Sequence, residues 1–261
     1  MQSEWISDML RRDRLVAVLA LAGVSIIAWI YTAFGVGMNM SAIDMTGMPG
    51  DMSMSATVWT AANSALMFAM WWVMMVAMML PSAAPMLLLY QRVVSKRQSD
   101  RALVDMLVFG LGYLVVWGAF SLAATGLHAA GEYIGWVNGM MTSSSSLLNA
   151  LLLISAGVWQ LTPLKHRCLE ACRTPIEFLS RIWRPGTWGA FWMGIVHGMF
   201  CVGCCWAMML LLFVGGVMNL YWIGGLALFA LAEKLTPGWP LFDRLAGAAL
   251  LVAGVLVLLI G

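Results

Sequence analysis

Charge is what this sequence most lacks. Only 10% of its 261 residues are Asp, Glu, Lys or Arg, against about a quarter in soluble domains. Hydrophobic residues make up 62%, and the mean hydropathy is +0.88. One buried core cannot hide such a surplus, which excludes a soluble enzyme, a nucleic-acid binder and a disordered chain. The net charge of +2 provides no polyanion-binding surface. Histidine is equally sparse: His128, His166 and His197 are the full set, a poor match to the four axial ligands of a di-haem cytochrome. No glycine-rich phosphate loop is present, so an ATP-driven pump is excluded. No Ser–His–Asp constellation is recognisable, and no alternating ten-residue pattern suggests an outer-membrane barrel.

What remains is long apolar stretches. A helix crosses the hydrocarbon of a bilayer with about 20 apolar residues. Seven stretches qualify, at 15–35, 64–89, 103–127, 147–161, 188–214, 218–232 and 241–260, the fourth and sixth being short. The first reads as an uncleaved span, because it exceeds a signal-peptide core of about 7–15 residues and no A-x-A site follows. Arg11, Arg12 and Arg14 precede it, and segments 36–63 and 128–146 hold no Lys or Arg. Arg92, Lys96, Arg97 and Arg101 follow the second span; Lys165, Arg167, Arg173, Arg181 and Arg184 follow the fourth. Lys234 and Arg244 precede the last. Every basic group thus falls on one side, which places the N-terminus in the cytoplasm and the C-terminus outside. The expected fold is all-α: a polytopic membrane helix bundle of about seven transmembrane helices, one membrane domain over 1–261. Within it, 36–63 is a methionine-rich outside loop and 163–187 a cytoplasmic Cys/basic loop. Thr162 and Pro163 suit the N-cap and first turn of a short helix, and 176–183 mixes apolar and charged residues as a membrane-surface helix would.

Sulfur is abundant, with 23 Met and 5 Cys. The outside loop carries Met38, Met40, Met45, Met48, Met52 and Met54. Thioethers are soft ligands suited to Cu(I); packing against headgroups or neighbouring loops is the alternative use. In the second span Met70, Met74 and Met78 continue a helical stripe begun by Met67, flanked by Met75 and Met79. Such a stripe serves equally as adaptable core filling. Pro81 and Pro85 close this span and are expected to kink it. In the fifth span, His197, Cys201, Cys204, Cys205 and Met208 share about 100° of one helix face over about 16 Å. Three cysteines beside a membrane histidine point to a metal or redox site, which other helices must complete. Cys168 and Cys172 lie four apart with His166, Arg167 and Arg173 nearby, as either a metal or thiol-relay site or ordinary loop residues. Glu233–Lys234 ends the sixth stretch as an ion pair, a coupling site or, preferred here, an interfacial anchor. The last span contains Gly247 and Gly254, suited to packing on another helix.

The chain resembles an uncharacterised bacterial family of predicted metal-binding integral membrane proteins. The resemblance rests on MMVAMMLPSAAPM at 74–86, QLTPLKHRCLEACRTP at 160–175, CVGCCWAMMLLLFVGGVMNLYW at 201–222 and EKLTP at 233–237. It implies a bound metal, and it places His197 and all five cysteines within shared stretches, with the methionine-rich loop outside them. The expectation is a bacterial inner-membrane protein that binds a soft transition metal and handles, delivers or transports it. Copper is the first choice, with zinc or another transition metal as the alternative, and a soluble metal-binding or redox protein is a possible partner. A membrane metalloenzyme, or the metal-bearing subunit of a copper-dependent oxidoreductase or monooxygenase, is the second reading. Transmembrane thiol–disulfide exchange is the third.

Overall fold

Helix boundaries follow local side-chain chemistry. In the computed structural model, which describes residues 2–35, 41–47, 58–96, 101–139, 141–236 and 240–260, the elements are α1 (Gln2–Phe34), α2 (Ala42–Gly47), α3 (Ala61–Ser95), α4 (Ala102–Ile134), α5 (Ser146–Leu161), α6 (Pro163–Arg173), α7 (Pro175–Ile182), α8 (Gly186–Leu210), α9 (Leu212–Gly215), α10 (Leu220–Leu235) and α11 (Pro240–Ile260). Thr60, Ser145, Thr162 and Asn219 each cap a helix by accepting from a backbone N–H in the first turn, which satisfies donors the helix leaves orphaned. Gly135 ends α4 in the left-handed region at φ 81°, a conformation open to glycine without steric cost. Among the described residues no strand forms, only an isolated bridge between Val137 and Ser143.

Five helical segments are long and apolar enough to cross a membrane: Arg14–Phe34, Ala61–Ser95, Ala102–Ile134, Gly186–Gly215 and Leu241–Ile260. Helices α5 and α6, bent by 66° at their junction, make a sixth if taken as one broken span. The stretch read as a sixth span becomes α10, which has only 16 residues because the chain between α9 and α10 turns at Gly216, φ 92°. The prolines of α3 do not end it either. The helix continues through Pro81 and Pro85 to Ser95, and the Met79 carbonyl accepts from the Ser82 hydroxyl at 2.8 Å and the Tyr113 hydroxyl at 3.2 Å. The outer faces are apolar as well: Ile27, Leu122, Leu151, Val252 and Leu259 are all exposed.

Helix α4 packs along α8, α3 lies against α4 and α1, α11 against α5, and α6 covers α8. The α4–α8 contact is made by glycine. A Cβ on Gly194 would meet the Phe109 carbonyl oxygen at 2.0 Å, and one on Gly112 would meet that of Phe191 at 2.2 Å. Backbone therefore touches backbone, the close approach that small residues permit between apolar helices. The partner of the last helix is α5, where added Cβ atoms on Gly247 and Gly254 would reach Leu161 and Ile154 at 2.8 and 2.6 Å. Gly194→Ala is expected to lower stability by about 1–3 kcal/mol through overpacking, read as a lower thermal midpoint in detergent. Gly224→Ala, with nothing within 4 Å of the added methyl, should stay within about 0.5 kcal/mol.

Candidate metal centre

The centre forms where α3, α4, α6, α8 and α10 converge on Cys201. Cys201, Cys204 and Cys205 project from one face of α8 and are all buried. The thiols of Cys204 and Cys205 turn back to the Cys201 carbonyl, at 3.0 and 2.9 Å. Cys205 Sγ also lies 3.9 Å from Met79 Sδ on α3. The Tyr113 hydroxyl of α4 is 3.1 Å from Cys201 Sγ, and the Lys234 ammonium of α10 donates to the same sulfur at 3.1 Å and to Ser82 Oγ at 2.7 Å. Both lysine contacts are buried. An ammonium enclosed in apolar surroundings requires such partners.

The two cysteines assigned to the basic loop join this cluster. Thr162 caps α6 and Pro163 occupies its first turn, so Cys168 and Cys172 share a face, and α6 lays that face on α8. Cys172 brings its thiol beside those of Cys201 and Cys204. Cys168 Sγ packs on Gly203, where a Cβ would come within 2.9 Å. All five cysteines are free thiols. Among the described residues no group of three or more His, Cys, Asp or Glu side chains is arranged to hold a metal ion. Two of the thiols are turned onto their own helix backbone.

His197 sits one turn before Cys201, buried against Tyr113 (centroids 5.7 Å), Phe178 (5.3 Å) and Phe109 (6.0 Å). Met208 is buried one turn beyond Cys204. Met70, Met74 and Met78 are buried in α3, and Met78 lines a groove with Trp29, Pro81 and Leu228. Met79, a flank of the sequence stripe, is the α3 sulfur that meets Cys205. From the methionine-rich loop, Met45 is packed inward at 8% exposed; Met38, Met40, Met48, Met52 and Met54 lie outside the described residues. Sequence reasoning passed over Tyr113 and Ser82, which carry no signal beyond being polar in apolar helices.

Glu233 and Lys234 do not serve as an interfacial anchor, because both are buried and they point to different partners. Lys165 Nζ and Gln160 Nε2 donate to Glu233 Oε1, and Arg173 Nε donates to the Glu233 carbonyl at 2.7 Å. Arg173 Nη2 also pairs with Asp243 at 3.3 Å, and His166 Nδ1 lies 3.8 Å from that carboxylate. These contacts clamp α6 to α10 and α11, which keeps Cys168 and Cys172 over α8. Breaking a buried pair from one side strands the other charge, typically at about 3–5 kcal/mol. Glu233→Gln should therefore cost stability on that scale in thermal unfolding in detergent, and Lys165→Met combined with Glu233→Met should recover most of it.

Comparison with known proteins yields one family. The family model PpoB2, described as copper chaperone, matches residues 68–257, which takes in all five cysteines, Met79 and Lys234 and leaves out the methionine-rich loop. No curated protein and no solved structure matches the chain. The donor set suits the cargo named by that description, since thiolates and thioethers are the soft ligands that select Cu(I). The chain belongs to the PpoB2 family of copper chaperones.

Proposed function

We propose that this protein is a multi-pass copper chaperone of the bacterial inner membrane that holds Cu(I) between Cys201 and its neighbouring thiols and passes it on by ligand exchange. With α10 counted as a crossing and α5–α6 as one, the chain has seven spans, N-terminus inside and C-terminus outside. The apolar outer faces and the one-sided distribution of Lys and Arg support this reading. The observation that carries the proposal is the meeting of thiols from α6 and α8 against the ammonium of Lys234.

The chemistry follows from charge and softness. Two thiolates and one Cu(I) sum to a single negative charge, which Lys234 neutralises inside an apolar body. A divalent ion in the same pair would leave a net positive charge, so the site favours Cu(I) and Ag(I) over Zn(II). Cys204 and Cys205 reach the metal by rotating off the Cys201 carbonyl. Cys172 and Cys168 on α6 then offer acceptor sulfurs to which the ion moves without release into solvent. Met79 and the buried methionines of α3 supply thioethers that bind without losing a proton. Met38, Met40, Met48, Met52 and Met54 collect copper outside.

Anaerobically purified protein should carry near-stoichiometric copper, lost when Cys201, Cys204 and Cys205 are replaced by serine. Lys234→Met should weaken Cu(I) by about tenfold or more, in line with the cost of an uncompensated buried charge, and should narrow the margin over Zn(II). Full metal content in the triple serine variant would sink the proposal. Metal-free protein with those thiols caught in mixed disulfides would replace it with thiol–disulfide exchange.

A further inference from the structure

His128 takes no part in the thiol centre. It is completely buried near the end of α4, and among the described residues neither ring nitrogen has a hydrogen-bond partner. A buried imidazole without partners is costly and calls for an explanation. One turn on, Glu132 turns Oε1 toward His128 Nε2 at 3.7 Å, its side chain only 4% exposed. The other oxygen of Glu132 accepts from the Trp59 indole N–H at 2.7 Å. The Trp59 ring lies edge-on to His128, with centroids 5.5 Å apart, and so covers the pair. Trp59 is partly exposed, so displacing one side chain opens the pair to the outside.

The separation is informative. At 3.7 Å, Nε2 and Oε1 are too far apart for a hydrogen bond. Metal bonds of about 2.0–2.2 Å to nitrogen and oxygen span donor separations from about 2.9 Å at a right angle to about 4.2 Å in line. The gap therefore has the size that a bridging metal ion fills.

Position adds a second line of support. Phe213 of α9 packs on His128 of α4 at 6.1 Å and on Trp71 of α3 at 5.3 Å, so α3 and α9 meet at this level. Met79 of α3 meets Cys205 of α8 eight residues along α3 from Trp71, or about 12 Å at the helical rise. Between the two contacts α3 contributes Met74, Met75 and Met78, and α8 contributes Met208 and Met209, all buried. A sulfur-rich seam thus runs from the thiol centre to the level of His128.

We propose that His128 and Glu132 form a second metal-ion site, taking copper through imidazole nitrogen and carboxylate oxygen, at the far end of this methionine seam from the thiols. Nitrogen and carboxylate donors are harder than thiolates and accept Cu(II). The two sites therefore differ in the oxidation state they favour. This site does not rest on the thiol proposal, because none of its donors belongs to that centre.

The test uses the full-length protein in detergent, loaded first with Ag(I) to occupy the thiols and then titrated with Cu(II). The expected result is one further equivalent, with an electron paramagnetic resonance spectrum showing nitrogen coordination. His128→Gln should abolish that signal and Glu132→Gln should weaken binding by about tenfold or more, whereas His166→Gln should leave it unchanged. Glu132→Gln and Trp59→Phe keep the histidine, so they decide the matter if His128→Gln fails to fold. Trp59→Phe, which removes the indole donor from the second carboxylate oxygen, should bind Cu(II) at least as tightly as the unmodified protein. No Cu(II) beyond the silver load, the result if the ring nitrogens hold only buried water, would overturn the proposal. So would a signal that survives His128→Gln, or one lost with His166→Gln.

Discussion

The ammonium of Lys234 has to find partners inside an apolar body, and much of the centre is arranged around that requirement. It donates to Cys201 Sγ and Ser82 Oγ, which ties α10 to α8 and α3 at one point. Tyr113 approaches the same sulfur from α4, and Met79 accompanies Cys205 from α3. An unpaired charge in this environment would cost several kcal/mol, so moving any of these helices has an electrostatic cost as well as a packing cost. Cysteine is thereby more than a small apolar residue here: its sulfur accepts from a cation.

Backbone contact is the other constraint. Because Gly194 and Gly112 let α4 and α8 touch, Tyr113 comes within 3.1 Å of Cys201 and His197 stacks on Tyr113. The clamp on α6 works similarly from outside the centre. Glu233 and Asp243 hold Lys165 and Arg173, so the cysteines between those two basic residues are laid onto α8. A single turn of α10 thus serves two purposes, with Glu233 fixing the α6 arm and Lys234 meeting the sulfur.

Much of the architecture was legible from periodicity and composition. The all-helical body, the Thr162–Pro163 helix start and the shared face of Cys201, Cys204 and Cys205 follow from local rules about caps and helical spacing. The methionine stripe was legible as a stripe, but the sulfur that meets Cys205 belongs to its flank. A helical wheel gives the angle between residues and not the direction of the neighbouring helix. The assignment of Glu233–Lys234 to an interface failed for a related reason. Adjacent residues on a helix point about 100° apart, so each found a separate buried partner that no local pattern reveals.

The sequence by itself determined that the chain is apolar, helical and sulfur-rich, because these depend on residue type and spacing along one strand of chain. Tertiary structure alone decided that the cysteines of α6 and those of α8 make one centre rather than two, and that Lys234 and Tyr113 belong to it. Those outcomes depend on where glycines allow backbones to touch and where buried charges find opposite charges. Both are relations between segments 30 to 150 residues apart in the chain, and no reading of one segment at a time contains them.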